Sequence, residues 1–388
     1  MRKIVVFYLT ILFFASCVPN QKQEVSIEIL PNNATSILIE EHISHIEIIP
    51  LETTTTSLLR GVKTVKFVDN FIFIEDTGGS GVYAFDRTGK FISKIGSRGE
   101  GPESYISIAT FFVDEKNRYV VLIDNMREAF IKHDFYGNFQ YRQQVSLEAI
   151  GFPFQALWMK DNSLLLNQLI SRHEGIVAYI LMECFDSQET SRFFPYYPIT
   201  AENYMTDFAN PPMVRASDGS INLIMPLNDT IFNFHNGKIT PRYRVEFSER
   251  RMAPRGSFSG TRIGNSFFDV MREYGGRGYF TGFTGIFETK NFILLNYRYR
   301  GVLMGYYLFD RRTGIGGYQR YTVNPGEFPF WRIISSHENA FVSAIDAESL
   351  LDMKEGFDRN APNNTRLFEV LDSLQFDDNP VLLLYHMK

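Results

Sequence analysis

VYAFDRTGKFISKIG, residues 82–96, has a second version in FIKHDFYGNFQYRQQ, residues 130–144. Asp86 answers to Asp134 and Gly89 to Gly137, each 48 residues further on. Upstream, FIFIED (71–76) matches YVVLID (119–124), which sets Asp76 against Asp124 at the same 48-residue offset. One offset held across that many positions marks an internal repeat. The unit divides into four short apolar runs separated by turn residues. VKTVKFV is strand A, and Asp69-Asn70 turns the chain into strand B, FIFIED. TGGSG leads to strand C, VYAFD; RTGK supplies a glycine for the positive φ of a hairpin before strand D, FISKI. Four-stranded units at a period of ~45 residues are the signature of a β-propeller.

Four weaker copies follow. The third reads ALWMK, LLLNQLI and VAYILMECFD; the fourth MVRAS, INLIMPL, IFNFH and ITPRYRVEF. The fifth reads TGIFET, FILLNYRYR, YYLFDRRTG and GGYQRYT; the sixth WRIISS, AFVSAID and PVLLLYHMK. The sixth copy reaches the C-terminus without a strand D. SHIEIIPLE (44–52) is a spare strand just before the first copy. Pairing it with the last blade closes the ring and hides its edges. The expected fold is therefore all-β, a six-bladed propeller over residues 24–388. Short helices are expected at TRIGNSFFDVMREYGG before copy five, and at AESLLDMKEG and NNTRLFEVLDSL within copy six, the last with Asn363 or Asn364 as cap. These insertions fall on D–A or B–C connections, which open on one face of a propeller, so that face is the expected binding face.

Composition agrees. With 36 Phe and 20 Tyr the chain leans towards strands. A net charge of −5 and no long basic run argue against a nucleic-acid partner. Two cysteines make no disulfide framework and no zinc spacing, and Cys184 sits in an apolar run as a small buried thiol. Arg2 and Lys3 precede an apolar run, Ile4–Ala15, too short to span a bilayer comfortably. FFASC (13–17) resembles a bacterial lipobox, which implies residues 1–16 as a signal peptide, lipidation of Cys17, and residues 17–23 as a tether. Two or more acyl chains give a stable anchor in the cell envelope, expected at the outer membrane.

IIPLETT (48–54), FDRTGKF (85–91), IGSRGEGPESY (95–105) and DNPVLLLYHMK (378–388) together resemble the six-bladed propeller lipoproteins of Bacteroides-type bacteria. The blades are also similar to NHL-type propellers. The resemblance implies a fold and an envelope location, with no particular activity.

GSRGEGPESY (96–105) looks at first like a phosphate cradle. It lacks the Lys-Ser/Thr of a Walker loop, and a strand follows it where a helix should. No nucleotide partner is expected. It reads instead as a blade-to-blade connection, with Tyr105 packing beneath and Arg98 and Glu100 on the binding face. Other candidate ligand contacts are Arg127, Arg172 and His173 on B–C loops, Asp229, Arg277 within YGGRGYFTGF, and Arg298 and Arg300 late in copy five. Arginines gathered on one face suit carboxylate or sulfate groups, and solvated charge is the plainer alternative. Asp76, Asp124 and Asp346 end strands B. They form a ring able to hold a divalent cation, or each accepts bonds from its neighbouring turn, the reading favoured in a repeat fold. No cofactor is expected otherwise. Seven scattered histidines and the lack of HExxH or GxSxG leave no catalytic set. The leading expectation is a non-catalytic binding module for a glycan, peptide or envelope protein. The alternative is a metal-assisted hydrolase or lyase, resembling lactonase-type propellers, with its site in the central channel.

Overall fold

The computed structural model describes residues 25–29, 39–146, 153–159, 162–168, 179–184, 189–193, 211–224, 229–247, 273, 276–279, 283–299, 303–320, 332–359 and 364–388. They build six four-stranded antiparallel sheets, each in the order A-B-C-D from the axis outward. Blade one is Val62–Val68, Phe71–Asp76, Val82–Asp86 and Phe91–Ile95. Blade two is Ile108–Asp114, Tyr119–Asp124, Ala129–Asp134 and Phe139–Gln144. Blade three is Pro153–Trp158, Leu164–Gln168, Tyr179–Cys184 and Glu189–Phe193. Blade four is Met213–Arg215, Ile221–Ile224, Thr230–His235 and Lys238–Phe247. Blade five is Phe283–Glu288, Phe292–Tyr299, Leu303–Asp310 and Ile315–Arg320.

Blade six takes Ile333–His337, Ala340–Ile345 and Val381–Met387 from the C-terminus, and Ile43–Pro50 from the other end of the chain as its strand D. The closing ladder runs antiparallel from Ile43↔Met387 to Pro50↔Val381. The expected closure is therefore what forms. Asn379 seals the join: its Nδ2 donates to Glu52 O and Ser57 O at 2.8 and 2.9 Å, and its Oδ1 accepts from Leu59 N at 2.8 Å. A buried amide with both ends used fixes two distant stretches of backbone at once.

Val25–Ile29 adds a fifth strand to blade four, parallel to Tyr243–Phe247 on its outer edge. A covered edge cannot pair with another chain. Ile39, further along the same N-terminal segment, is buried against Phe287, Phe292 and Leu294 of blade five. The segment thus touches blades four, five and six.

The two helices expected in blade six form as α1 (Ala347–Asp352) and α2 (Thr365–Ser373), the latter burying Leu367, Phe368, Val370 and Leu371. Asn364 stands at the N-cap of α2, but its side chain donates to Asp358 O at 2.7 Å and makes no cap bond. The helix expected over 261–276 lies mostly outside the described residues.

The 48-residue repeat has a physical cause. In blade one Asp86 Oδ1 accepts from Thr88 N and Lys90 N at 2.8 and 3.0 Å. In blade two Asp134 Oδ1 accepts from Tyr136 N and Asn138 N, both at 2.9 Å. Gly89 and Gly137 take φ of 88° and 85° in these turns. Each turn lies against the end of strand D of the preceding blade. A Cβ on Gly89 would sit 2.0 Å from Pro50 O, and one on Gly137 2.6 Å from Lys94 O. Both glycines are therefore required twice, by the turn and by the seam. Gly314, in the matching turn of blade five, has φ of 69° and open space around it. We predict that Gly89→Ala combines a left-handed strain of ~1 kcal/mol with ~1–3 kcal/mol of overlap against a backbone carbonyl, while Gly314→Ala shows the strain alone. Urea unfolding of the two variants checks this; equal losses would contradict it.

Candidate functional site

The B–C and D–A connections share one face, as expected, and the strand-B aspartates organise it. Asp76 is buried; its Oδ1 accepts from Arg60 N at 2.7 Å, and its Oδ2 accepts from Ser80 Oγ and Ser80 N at 2.7 and 3.2 Å. Asp124, fully buried, accepts from Ile106 N, Ser107 N, Met126 N and Arg127 N between 2.7 and 3.3 Å. Each carboxylate ties the end of strand B to the approach of strand A in its own blade. Their oxygens are filled by N–H and O–H donors, which leaves little for a cation. Asp346 differs: it is exposed at the N-cap of α1 and accepts from Ser349 Oγ. Among the described residues no group of three or more His, Cys, Asp or Glu is arranged to hold a metal ion.

The glycine-rich loop is a small parallel pairing of Ser97–Arg98 with Ser104–Tyr105. Its convergent groups are carbonyls. Arg127 donates to Gly99 O and Gly101 O at 2.8 and 2.9 Å and to Ser104 O at 3.2 Å, and Arg142 reaches Ser104 O at 2.5 Å. A phosphate cradle requires the opposite polarity, with N–H groups converging. Tyr105 is buried beneath and donates to Ser80 O at 2.9 Å; burial pushes its hydroxyl up to about 12. Arg98 and Glu100 are exposed on the loop. Arg127 is thus a clamp for this loop. Arg277 is paired with Glu273 at 2.6 Å, and Asp229 accepts from Thr230 Oγ1 at 3.1 Å. Arg298 lies in strand B of blade five opposite Met304. Cys17, Arg172, His173 and Arg300 lie outside the described residues.

Where blade six meets blade one, the face opens into a cleft of about 360 Å³. Arg60, Lys63 and Thr77 line it from blade one, and Arg332, Asp346 and Pro380 from blade six. Lys63 donates to Glu75 Oε1 at 2.6 Å, and burial raises the pKa of Glu75 against the opposing effect of Lys63. Arg60 and Arg332 are exposed, and neither guanidinium has a protein partner among the described residues. The unspent charge of the cleft is therefore two guanidiniums against the single carboxylate of Asp346. Of the three, Asp346 was expected on this face as part of a carboxylate ring; Arg60 and Arg332 were not, because 272 residues separate them. Only ring closure brings them together.

The central channel is cross-linked by side chains. Innermost strands pair on one side only, so their inner edges face the axis with unused backbone groups. Lys63 donates to Ala109 O at 3.2 Å, and Lys66 to Phe111 O and Ala156 O, both at 3.0 Å. Gln155 exchanges two 2.9 Å bonds with Met213, and Arg215 donates to Trp158 O at 2.8 Å. Lys66 thus bridges strands A of blades two and three from blade one. Its ammonium is enclosed by protein, which lowers its pKa to about 8 despite the opposing effect of Glu75.

Six four-stranded blades, closed by an N-terminal strand and carrying a polar cleft at the closing seam, define a six-bladed β-propeller. The chain belongs to the family described as a domain of unknown function, DUF4934, whose model matches residues 23–386. A Bacteroides fragilis protein described as exported has a similar solved structure, with a TM-score of 0.73 at 20% identity over 94% of this chain and 99% of that one. A member of the DUF4221 family from Bacteroides vulgatus is similar at a TM-score of 0.55 and 12% identity, over 88% of this chain and 96% of that one. At such identities the likeness is one of fold. No curated protein matches the chain.

The strand-B aspartates supply a direct test of their role. Asp124→Ala should lower stability by roughly 3 kcal/mol or more, since it strands several buried N–H groups. Calcium or magnesium should leave the melting temperature of the unmodified protein unchanged. A cation-dependent rise abolished by the substitution would make Asp124 a ligand.

Proposed function

We propose that this protein is a lipid-anchored envelope propeller that binds, without chemistry, an acidic ligand in the cleft between blades six and one. The observation that carries the reading is the pair of unpartnered guanidiniums, Arg60 and Arg332, on opposite walls of that cleft. A guanidinium pair suits carboxylate or sulfate groups, which it meets with two parallel N–H bonds. The cleft has room for about one acidic sugar unit or side chain, on the scale of a small ligand site. Uronic-acid or sulfated glycans and acidic peptides share this chemistry. Arg98 and Glu100, exposed on the same face, are placed to meet the remainder of a longer ligand.

The envelope location is supported by the lipobox-like FFASC (13–17) and by the fold likeness to a protein described as exported. Among the described residues no helix is long and apolar enough to cross a membrane, so the anchor in this reading is the lipid on Cys17. The alternative of a metal-assisted hydrolase or lyase draws no support from the channel, where Lys63, Lys66 and Arg215 stand.

Calorimetric titration with oligogalacturonate, a sulfated oligosaccharide and an acidic peptide tests the binding. At least one should bind, and Arg60→Ala or Arg332→Ala should weaken it roughly 10-fold or more, with stability changed by less than ~0.5 kcal/mol. Asp346→Asn should leave binding intact or strengthen it. Binding indifferent to both arginines would refute the cleft. Labelled-lipid incorporation, abolished by Cys17→Ala, tests the anchor; labelling that persists would remove it.

A further inference from the structure

Two cations of the central channel share one strand edge. Lys66 projects from strand A of blade one, and Arg215 from strand A of blade four, on the opposite side of a six-membered ring. Both reach the same inner edge, that of Pro153–Trp158 in blade three. Lys66 Nζ donates to Ala156 O at 3.0 Å and Arg215 Nη2 to Trp158 O at 2.8 Å. Those carbonyls are two residues apart on one strand, about 7 Å along it. The ammonium and the guanidinium are therefore neighbours along one strand edge, near enough for the charge of Arg215 to act on Lys66.

Neither group forms an ion pair among the described residues. The carboxylates acting on Lys66 are Glu75 and Glu115; Glu75 is committed to Lys63 at 2.6 Å. Two of the three N–H groups of Lys66 are used on Phe111 O and Ala156 O, so one remains. Arg215 uses one donor on Trp158 O and is exposed, so solvent adjoins it. Enclosure by protein is the main cause lowering the pKa of Lys66, and Arg215 lowers it further against the opposing charges of Glu75 and Glu115.

We infer that the central channel holds a second, separate binding site, for a small oxyanion (a phosphate, sulfate or free carboxylate) bridged between Lys66 and Arg215 over the inner edge of blade three. The site is independent of the cleft at the closing seam, and neither reading needs the other. A free ion and the acidic terminus of a larger molecule share this chemistry.

The test is titration of the full chain with inorganic phosphate, sulfate and acetate at pH 7, read by calorimetry and melting temperature. In the Arg60→Ala/Arg332→Ala double variant, where the cleft is disabled, at least one should bind saturably, and adding Arg215→Gln should weaken it 10-fold or more. Glutamine keeps an N–H for Trp158 O, so this variant should fold even if Lys66→Met, which strands two carbonyls, does not. Competition separates the two sources: a short peptide with a free C-terminal carboxylate should displace the ion, and its amidated form should not, only where a terminus is what the site takes. Saturable binding to the double cleft variant that survives Arg215→Gln, or no saturable binding of any of the three ions to that variant, would overturn the proposal.

Discussion

The ladder between Ile43–Pro50 and Val381–Met387 is the contact on which the rest depends. A propeller is a ring of sheets whose blades are each too small to stand alone, so stability comes from stacking neighbours and from having no open end. Here the two ends of the chain meet inside one blade. Leu382, Leu383, Leu384 and Tyr385, at the centre of that blade, are fully buried. Asn379 then ties this strand's approach to residues 52–59, where the chain crosses towards the axis of blade one. The cleft lies on that same join, because its walls are supplied by blade one and blade six. Closure and the cleft are one piece of geometry.

The seam between blades six and one and the seam between blades one and two share a smaller device. An aspartate at the end of strand C holds its hairpin open to a left-handed glycine, and the glycine admits the carbonyl that ends the preceding blade. A second aspartate, at the end of strand B, fastens the entry to strand A. Inside the ring, long polar side chains reach across the axis to cap the free edges of the innermost strands. One set of charges therefore holds backbone together and is unavailable to ligands, as with Arg127 and Asp124. Another set is left over, as with Arg60 and Arg332.

What could be read from the sequence follows this division. The 48-residue spacing is visible because Asp86/Asp134 and Gly89/Gly137 answer to turn geometry, which demands particular residue types at fixed offsets. The closing strand was visible because a missing strand D and a spare strand leave one solution. IIPLETT and DNPVLLLYHMK, which carried the family resemblance, prove to be the two halves of the closing join. Harder to read was anything set by long-range closure. Nothing local distinguishes Arg60 or Arg332 from ordinary solvated arginines. Lys66 sits in VKTVKFV like any strand lysine, and its reach across the axis depends on two other blades. Val25–Ile29 gave no sign of joining blade four, since a short parallel edge strand carries no turn to mark its partner.

Native-state hydrogen exchange of the amides in Ile43–Pro50 and Val381–Met387 tests the central claim most directly. If the closing ladder holds the ring, its amides should exchange only through global unfolding, with protection equal to that of the central strands of blades one and two. Exchange of the closing ladder through a local opening of much lower free energy, with those blades still protected, would contradict it.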